Sequence, residues 1–377
     1  MITKDEELEK ILKKYNYVGL NILHTDKEKI DYLISSGYQD IDTKKGINDQ
    51  TVYRIASISK VEIALGIMKL YEMGLVSFYD DVSKYLGFKL RNPKFPDKII
   101  TLEMIMTQTS SISDCGDEVR HVGYDGINGY ISDNVPLEDL LNNPSYCYYT
   151  PGSFSDYEPG TVWEYSNFGC GILACIIEKL THKNYDEFLR EEIFDKLGLD
   201  ASYYVTNIKN QENIASLYEY DNKSDSFILE RNKEMFIEKV FPKYPLGNNF
   251  RGPAGGLFIT AKDLSIIMMM LMNDGTYDGK TLFKKETIEE MKKVHWQGWA
   301  YDPEYRKKGL QLLELYGLSK ETLMGHCGNA YGLRSFMLFN EHHGYIFLCN
   351  GANYGLYQDH FVEMMSDILK FLIAKFE

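Results

Sequence analysis

Two pairs of strand-like runs lie at opposite ends of this 377-residue chain, and that placement limits the fold more than anything between them. Near the start, "YVGLNIL" (17–23) and "KIDYLISSGYQD" (29–40) are rich in β-branched and aromatic residues and are joined by the polar turn "HTDKE". Near the end, "LRSFMLFN" (333–340) and "YIFLCN" (345–350) flank "EHHG" as a hairpin. From about residue 75 to 250 the pattern is mostly helix and loop, with breakers at "RNPKFPD", "YTPGSFSDYEPG" and "RGPAGG". Isolated two-stranded ribbons are marginal in water, so the two ends are expected to share one antiparallel sheet. The fold class is therefore α/β (α+β): a sheet domain from residues 1–60 and 250–377, flanked by helices, with a mostly helical inserted domain over 61–249. A cleft is expected between sheet and insertion.

Composition excludes several classes. The net charge of −14 repels phosphate at long range, so neither nucleic acid nor an anionic membrane surface is an expected partner. The longest wholly apolar run, "IIMMMLM" (266–272), is far short of the ~20 residues a spanning helix needs. The opening "MITKDEELEKILKK" alternates charges and reads as an amphipathic helix, which gives the expectation of a cytoplasmic protein. Six cysteines without a Cys-x-x-Cys pair read as free thiols, Cys170 and Cys175 as small buried hydrophobes. The histidines form no metal-ligand spacing, and no metal or other cofactor is expected. Trp296 and Trp299 read as core residues.

Chemistry enters at "YRIASISKVEIALGIMKLYEMG" (53–74), where Ser57 and Lys60 stand three residues apart at the start of an apolar helix. Residues i and i+3 share a helix face, so the amine can reach back to the hydroxyl. First-turn amides lack helical partners, which lets the N–H of Ser57 stabilise an oxyanion. A neutral amine beside a serine is a competent base. A capping serine and a solvated lysine explain the pair equally well, since a chain of this length holds about one or two Ser-x-x-Lys matches by chance.

Two further stretches decide between those readings. "EPGTVWEYSNFGCGIL" places Tyr165, able to shuttle a proton, and Asn167, able to hold a substrate carbonyl, just before an apolar helix. A second Tyr-x-Asn, Tyr220 with Asn222, lies in "YEYDNKSDSF" and reads as a solvated loop. "GHCGNAYGLRSFMLF" carries His326, Cys327 and Gly328 into the terminal hairpin, where Asn329 can supply a second oxyanion amide. Arg334, further along, reads as a surface charge with an alternative role facing a substrate carboxylate.

Taken in order, Ser57-Ile-Ser-Lys60, Tyr165-Ser-Asn167 and His326-Cys-Gly328 resemble the penicillin-recognising serine hydrolases. The resemblance is to the group of class C β-lactamases, D-alanyl-D-alanine carboxypeptidases, D-aminopeptidases and carboxylesterases. "KIITLEMIMTQTSSI" and "FRGPAGGLFITAKDL" extend it over nearly the whole chain. It implies a β-lactamase/transpeptidase-like fold and a covalent acyl-enzyme. Ser57 would be the nucleophile, with Lys60 and Tyr165 sharing general-base and proton-shuttle duty. Asn167, His326, Gly328 and Asn329 would contact substrate, the amides of Ser57 and Asn329 forming the oxyanion hole. The implied partner is a small ester, amide or β-lactam.

The chain departs from that pattern in two places. His326 stands where β-lactamases usually carry lysine; a histidine is mostly neutral at pH 7 and is a poorer anchor for a substrate carboxylate. "TQTSSI" has Gln108 and Ser111 where the family often has His and Gly. The leading expectation is thus a hydrolase of small esters or of D-amino-acid amides and peptides. The alternatives are a class C-type β-lactamase or carboxypeptidase, and a non-catalytic binding or assembly protein on the same scaffold.

Overall fold

The computed structural model describes residues 5–238, 243–300, 306–358 and 361–377. The two chain ends do meet in one sheet. Strands β1 (Gly19–Thr25), β2 (Ile30–Asp40) and β3 (Lys45–Gly46) come from the amino-terminal side. A short β4 (Val52–Arg54) leads to Ser57, and β5 (Leu217–Asp221) with β6 (Ser226–Arg231) forms a separate hairpin. β7 (Phe258–Thr260) pairs with β4. The other strands of the large sheet are β8 (Trp296–Gln297), β9 (Lys307–Lys308), β10 (Leu313–Leu315), β11 (Leu323–Ala330), β12 (Leu333–Phe339) and β13 (Gly344–Cys349). Sheet order is β8-β9-β10-β11-β12-β13-β1-β2-β3, and each adjacent pair is antiparallel. The seam between the two chain ends is β1 on β13, Ile22 opposite Phe347.

The sheet is covered on both faces, which explains why β1 and β13 are buried along their whole length. Side chains alternate across a strand. Leu20, Ile22, Phe336, Leu338 and Phe347 face one layer, helices α1 (Glu6–Leu12) and α5 (Glu363–Phe376). Met365, Ile368, Leu369 and Leu372 form the buried stripe of α5, as its spacing predicts. Leu23, Met337, Ile346 and Leu348 face the other layer, built on α2 (Ser59–Glu72), α3 (Asn167–Thr181) and α4 (Ala261–Met272). Thr260 caps α4 by accepting the N–H of Asp263 at 2.9 Å, and Gly275 follows its end with φ +94°.

Three local expectations change. The stretch around Tyr220 is a β-hairpin, not a loop: Leu217 and Tyr218 are buried, but the rest of the first strand and all of the second are exposed or half-buried, so the apolar signal that normally marks strands is weak there. Trp299 is 58% exposed and is not a core residue, while half-buried Trp296 donates its indole N–H to the Gly160 carbonyl at 2.8 Å. The α-helix after β4 begins at Ser59, so Ser57 lies in the 3₁₀ turn Ala56–Ile58 that precedes it. All six cysteines are free thiols. No helix among the described residues is long and apolar enough to cross a membrane.

Candidate active site

The turn that presents Ser57 is strained and closely held. Ala56 has φ +53°, a left-handed conformation that costs an L-residue roughly 1–2 kcal/mol. Its neighbours are pinned on both sides. The N–H of Ile55 donates to the Leu257 carbonyl at 3.0 Å, and Ser335 Oγ donates to the Ile55 carbonyl at 3.1 Å. Ser59 Oγ donates to the Ala56 carbonyl at 2.6 Å and accepts the Leu257 N–H at 3.1 Å. Strand β11 crosses this turn so closely that a Cβ on Gly328 would lie 2.5 Å from the Ile55 carbonyl oxygen and 3.2 Å from Ala56 Cβ. Only glycine fits at that crossing.

Ser57 Oγ sits between two polar groups brought from elsewhere in the chain. Tyr165 donates its phenol to Oγ at 2.7 Å, and Lys60 Nζ lies 3.0 Å from the same oxygen. Lys60 is wholly buried. Its other two neighbours are Asn167 Oδ1 and the Ala254 carbonyl, both at 2.8 Å, and neither has a proton to give. A neutral amine therefore donates its two N–H groups to them and turns its lone pair to the serine hydroxyl; an ammonium donates the third to Oγ. Both protonation states fit the same heavy atoms. A proton can pass along the Ser57–Lys60 line without rearrangement.

A residue that sequence reasoning missed holds this arrangement. Asp114 Oδ2 accepts the Asn167 side-chain N–H and backbone N–H, each at 2.8 Å. Its Oδ1 accepts the Phe168 N–H at 2.8 Å and the Ser166 hydroxyl at 3.0 Å. The carboxylate caps the start of α3, where unpaired amides favour negative charge. By taking an N–H of Asn167, it forces Oδ1 toward Lys60. One Asn167 N–H is left over for a ligand. Ala254 carries no motif of its own, although its glycine-rich neighbourhood marks the loop.

The opening over Ser57 is a cavity of about 330 Å³ lined by Ser57, Tyr165, Asn167, His326, Gly328, Asn329 and Arg334, with a more apolar wall from Leu313, Leu315 and Met365. Every site residue expected from the motifs, except buried Lys60, thus borders one space, and Lys60 touches two of them from below. In the β11–β12 ladder Asn329 is opposite Arg334, whose N–H turns outward to the Tyr354 hydroxyl at 3.2 Å. Paired residues in an antiparallel ladder point their amides the same way relative to the pair, so the Asn329 N–H is directed away from β12. β10 pairs with β11 only as far as Gly325, which leaves that edge open at Asn329.

His326 is buried, and its Nδ1–H donates to the Cys327 carbonyl at 2.7 Å. Burial first, then the neighbouring charge of Lys60, pushes its pKa down to about 3. The imidazole is neutral throughout the physiological range, with Nε2 left as an acceptor. Arg334, expected at the surface, is half-buried and lines the cavity, and its guanidinium has no hydrogen bond or ion pair among the described residues. Among the described residues no cluster of side chains could hold a metal ion.

The sheet-and-helix architecture is of the β-lactamase/transpeptidase-like type. It superposes on a penicillin-binding protein homologue from Pyrococcus abyssi, described as octameric, with TM-score 0.71 at 19% identity over 98% of this chain and 75% of that one. It also superposes on the D-amino acid amidase of Ochrobactrum anthropi, with TM-score 0.71 at 19% identity over 99% and 98%. The family model described as Beta-lactamase matches residues 5–358, and the chain belongs to that family, whose members are serine hydrolases. Penicillin-binding protein 4* of Bacillus subtilis is 29% identical over 239 residues, 60% of this chain. The match spans about half of that relative's length, 49%.

Proposed function

We propose that the protein is a serine hydrolase that forms an acyl-enzyme at Ser57 on small esters or on amides and peptides of D-amino acids. The observation that carries this reading is Ser57 Oγ held between the Lys60 amine at 3.0 Å and the Tyr165 phenol at 2.7 Å beneath an open cavity. As Oγ bonds to the substrate carbonyl carbon, its proton passes to the Lys60–Tyr165 pair, and the carbonyl oxygen becomes an oxyanion facing the amides of Ser57 and Asn329. Collapse breaks the bond to the leaving amine or alkoxide, which takes that proton. Water then attacks the Ser57 ester by the same route, releases the acid and restores the hydroxyl. Asn167 orients Lys60 and offers its remaining N–H to the substrate. The neutral His326 favours substrates without a carboxylate at that place.

Intact-mass spectrometry after treatment with a fluorophosphonate tests the reading. The wild type gains one adduct and Ser57→Ala gains none; equal labelling of both refutes it. No adduct on either, with no turnover of nitrophenyl esters, turns the assignment to a binding or assembly protein. Arg334 favours a second reading, a β-lactamase or carboxypeptidase, because a cavity-lining guanidinium without a partner among the described residues suits a substrate carboxylate. That reading requires a chromogenic cephalosporin or a D-Ala-D-Ala peptide to be turned over faster than a short-chain nitrophenyl ester.

A further inference from the structure

The cavity over Ser57 does not stop at the face of the sheet that carries the serine. Gly328 meets the Ser57 turn, so His326 and Gly328 face that side, because side chains alternate along a strand. Leu323 and Cys327 face the other side, where both pack in the cluster beneath α5. Leu315 lies directly opposite Leu323 and belongs to the same cluster, and Leu313, two residues away, shares its face. Yet Leu313, Leu315 and Cys327 line one cavity with Ser57, Tyr165 and His326. A cavity joins two faces of a sheet only where the sheet has an edge. β10 is paired with β11 only as far as Gly325, so the edge of β11 is open beside Gly328 and Asn329. A group bonded to Ser57 can pass round that edge.

Beyond the edge the walls are apolar. Leu313, Leu315, Phe361, Val362 and Met365 form them, and Tyr357, 62% exposed, extends them to the rim. The five are shielded from bulk water, so a methylene placed against them leaves water. No carboxylate and no lysine stands among the described lining residues; the charge there is Arg334, on the same face as Asn329 opposite it. The proton decides which part of the substrate goes there. The leaving atom takes its proton from the Lys60–Tyr165 pair, and the Tyr165 ring stands 6.4 Å from that of His326 on β11, the strand at whose edge the passage opens. Asn167, at the start of α3, is left for the acyl part.

We infer, resting on the hydrolase reading above, that the leaving group of the substrate is an apolar alcohol or amine whose chain passes the open edge of β11 and lies against Leu313, Leu315 and Met365. The substrate class is then an ester or amide with a neutral alkyl leaving group. In the β-lactamase or carboxypeptidase reading the substrate instead brings a carboxylate to Arg334.

The test follows ethyl, butyl and hexyl esters of acetic acid and of D-alanine by titrating the released acid at constant pH. These alcohols differ little in acidity, so chain length changes contact and not leaving ability. Burying one methylene is worth about fourfold, and kcat/KM is expected to rise about tenfold from butyl to hexyl. In Leu313→Gln and in Met365→Gln, two variants whose folding is verified by circular dichroism and melting temperature, that gain should shrink to about threefold or less. A parallel series lengthens the acyl side: ethyl acetate, butyrate and hexanoate. A gain along the acyl series that the same variants abolish puts the acyl chain in the passage and overturns the assignment to the leaving group. A flat alcohol series, or a gain that both variants keep, overturns the passage while leaving Ser57-dependent ester hydrolysis intact. Turnover of every ester no faster than by Ser57→Ala overturns the hydrolase reading, and this inference with it.

Discussion

Glu62 offers the sharpest quantitative test of the fold around the site. It lies on α2, two residues past Lys60, fully buried, and neither carboxyl oxygen has a hydrogen-bond partner among the described residues. Burial raises its pKa from 4.5 to about 8. In the unfolded chain the carboxyl ionises near 4.5, whereas the folded protein keeps it protonated to about 8. Between those values the folded state holds a proton that the unfolded state has released, so stability is full below pH 4.5 and is lost as pH rises toward 8. At about 1.4 kcal/mol per pH unit, moving from about pH 5 to about pH 7 removes up to about 3 kcal/mol. Unfolding entropy of about 2.1 cal/mol/K per residue gives about 0.8 kcal/mol/K for a chain of this length, so the melting temperature should fall by about 4 °C over that interval from this group alone. Glu62→Gln cannot ionise and should lack that part of the slope. The assay is differential scanning calorimetry of both proteins from pH 5 to 8. What matters is the difference between their slopes, because an unpaired buried amide carries its own pH-independent cost. Parallel curves would refute the argument and place a partner at the carboxyl.

Three further outcomes follow from the site geometry. Gly328→Ala puts a Cβ 2.5 Å from the Ile55 carbonyl, pushes β11 off the Ser57 turn and separates the two oxyanion amides; kcat should fall roughly 100-fold with the fold retained, and a loss under threefold would refute the close approach. Asp114→Asn lets the Asn167 amide turn over and release Lys60, so kcat/KM should drop by about tenfold or more in ester assays, and unchanged kinetics would remove Asp114 from the positioning of the base. With His326 held near pKa 3, the imidazole should contribute no limb to log kcat/KM between pH 5 and 8; a limb near 6.5 that disappears in His326→Gln would refute its burial as the cause of neutrality.

The terminal strands were legible because β1, β12 and β13 are buried on both faces and read as dense runs of Leu, Ile, Phe and Met. The convergence of Ser57, Lys60, Tyr165 and Asn167 was legible because each lies at the start of, or just before, an apolar helix. Asp114 had no such signal. It acts on Asn167 across 53 residues of chain, and an aspartate in "SISDCGD" looks like any loop acid. The hairpin of β5 and β6 was hidden for a different reason: beyond buried Leu217 and Tyr218 its residues are exposed or half-buried, so period-two alternation of apolar residues is nearly absent. Apolar spacing places the helix start two residues early, at Ser57 instead of Ser59, because Ala56 carries a left-handed φ that its side chain does not advertise.

The electrostatics of the cavity over Ser57 depend on His326. A lysine at that position would stand beside Lys60 and hold a permanent charge; here the charge of Lys60 and the loss of solvent both act to keep the imidazole neutral. The amine next to Ser57 therefore has no second cation against it from His326. The guanidinium that borders the Ser57 cavity is instead Arg334 on β12, opposite Asn329. With His326 neutral and Arg334 on the facing strand, two tasks that a lysine in the third motif would combine, carrying a permanent charge and bordering the reacting atoms, fall to different residues.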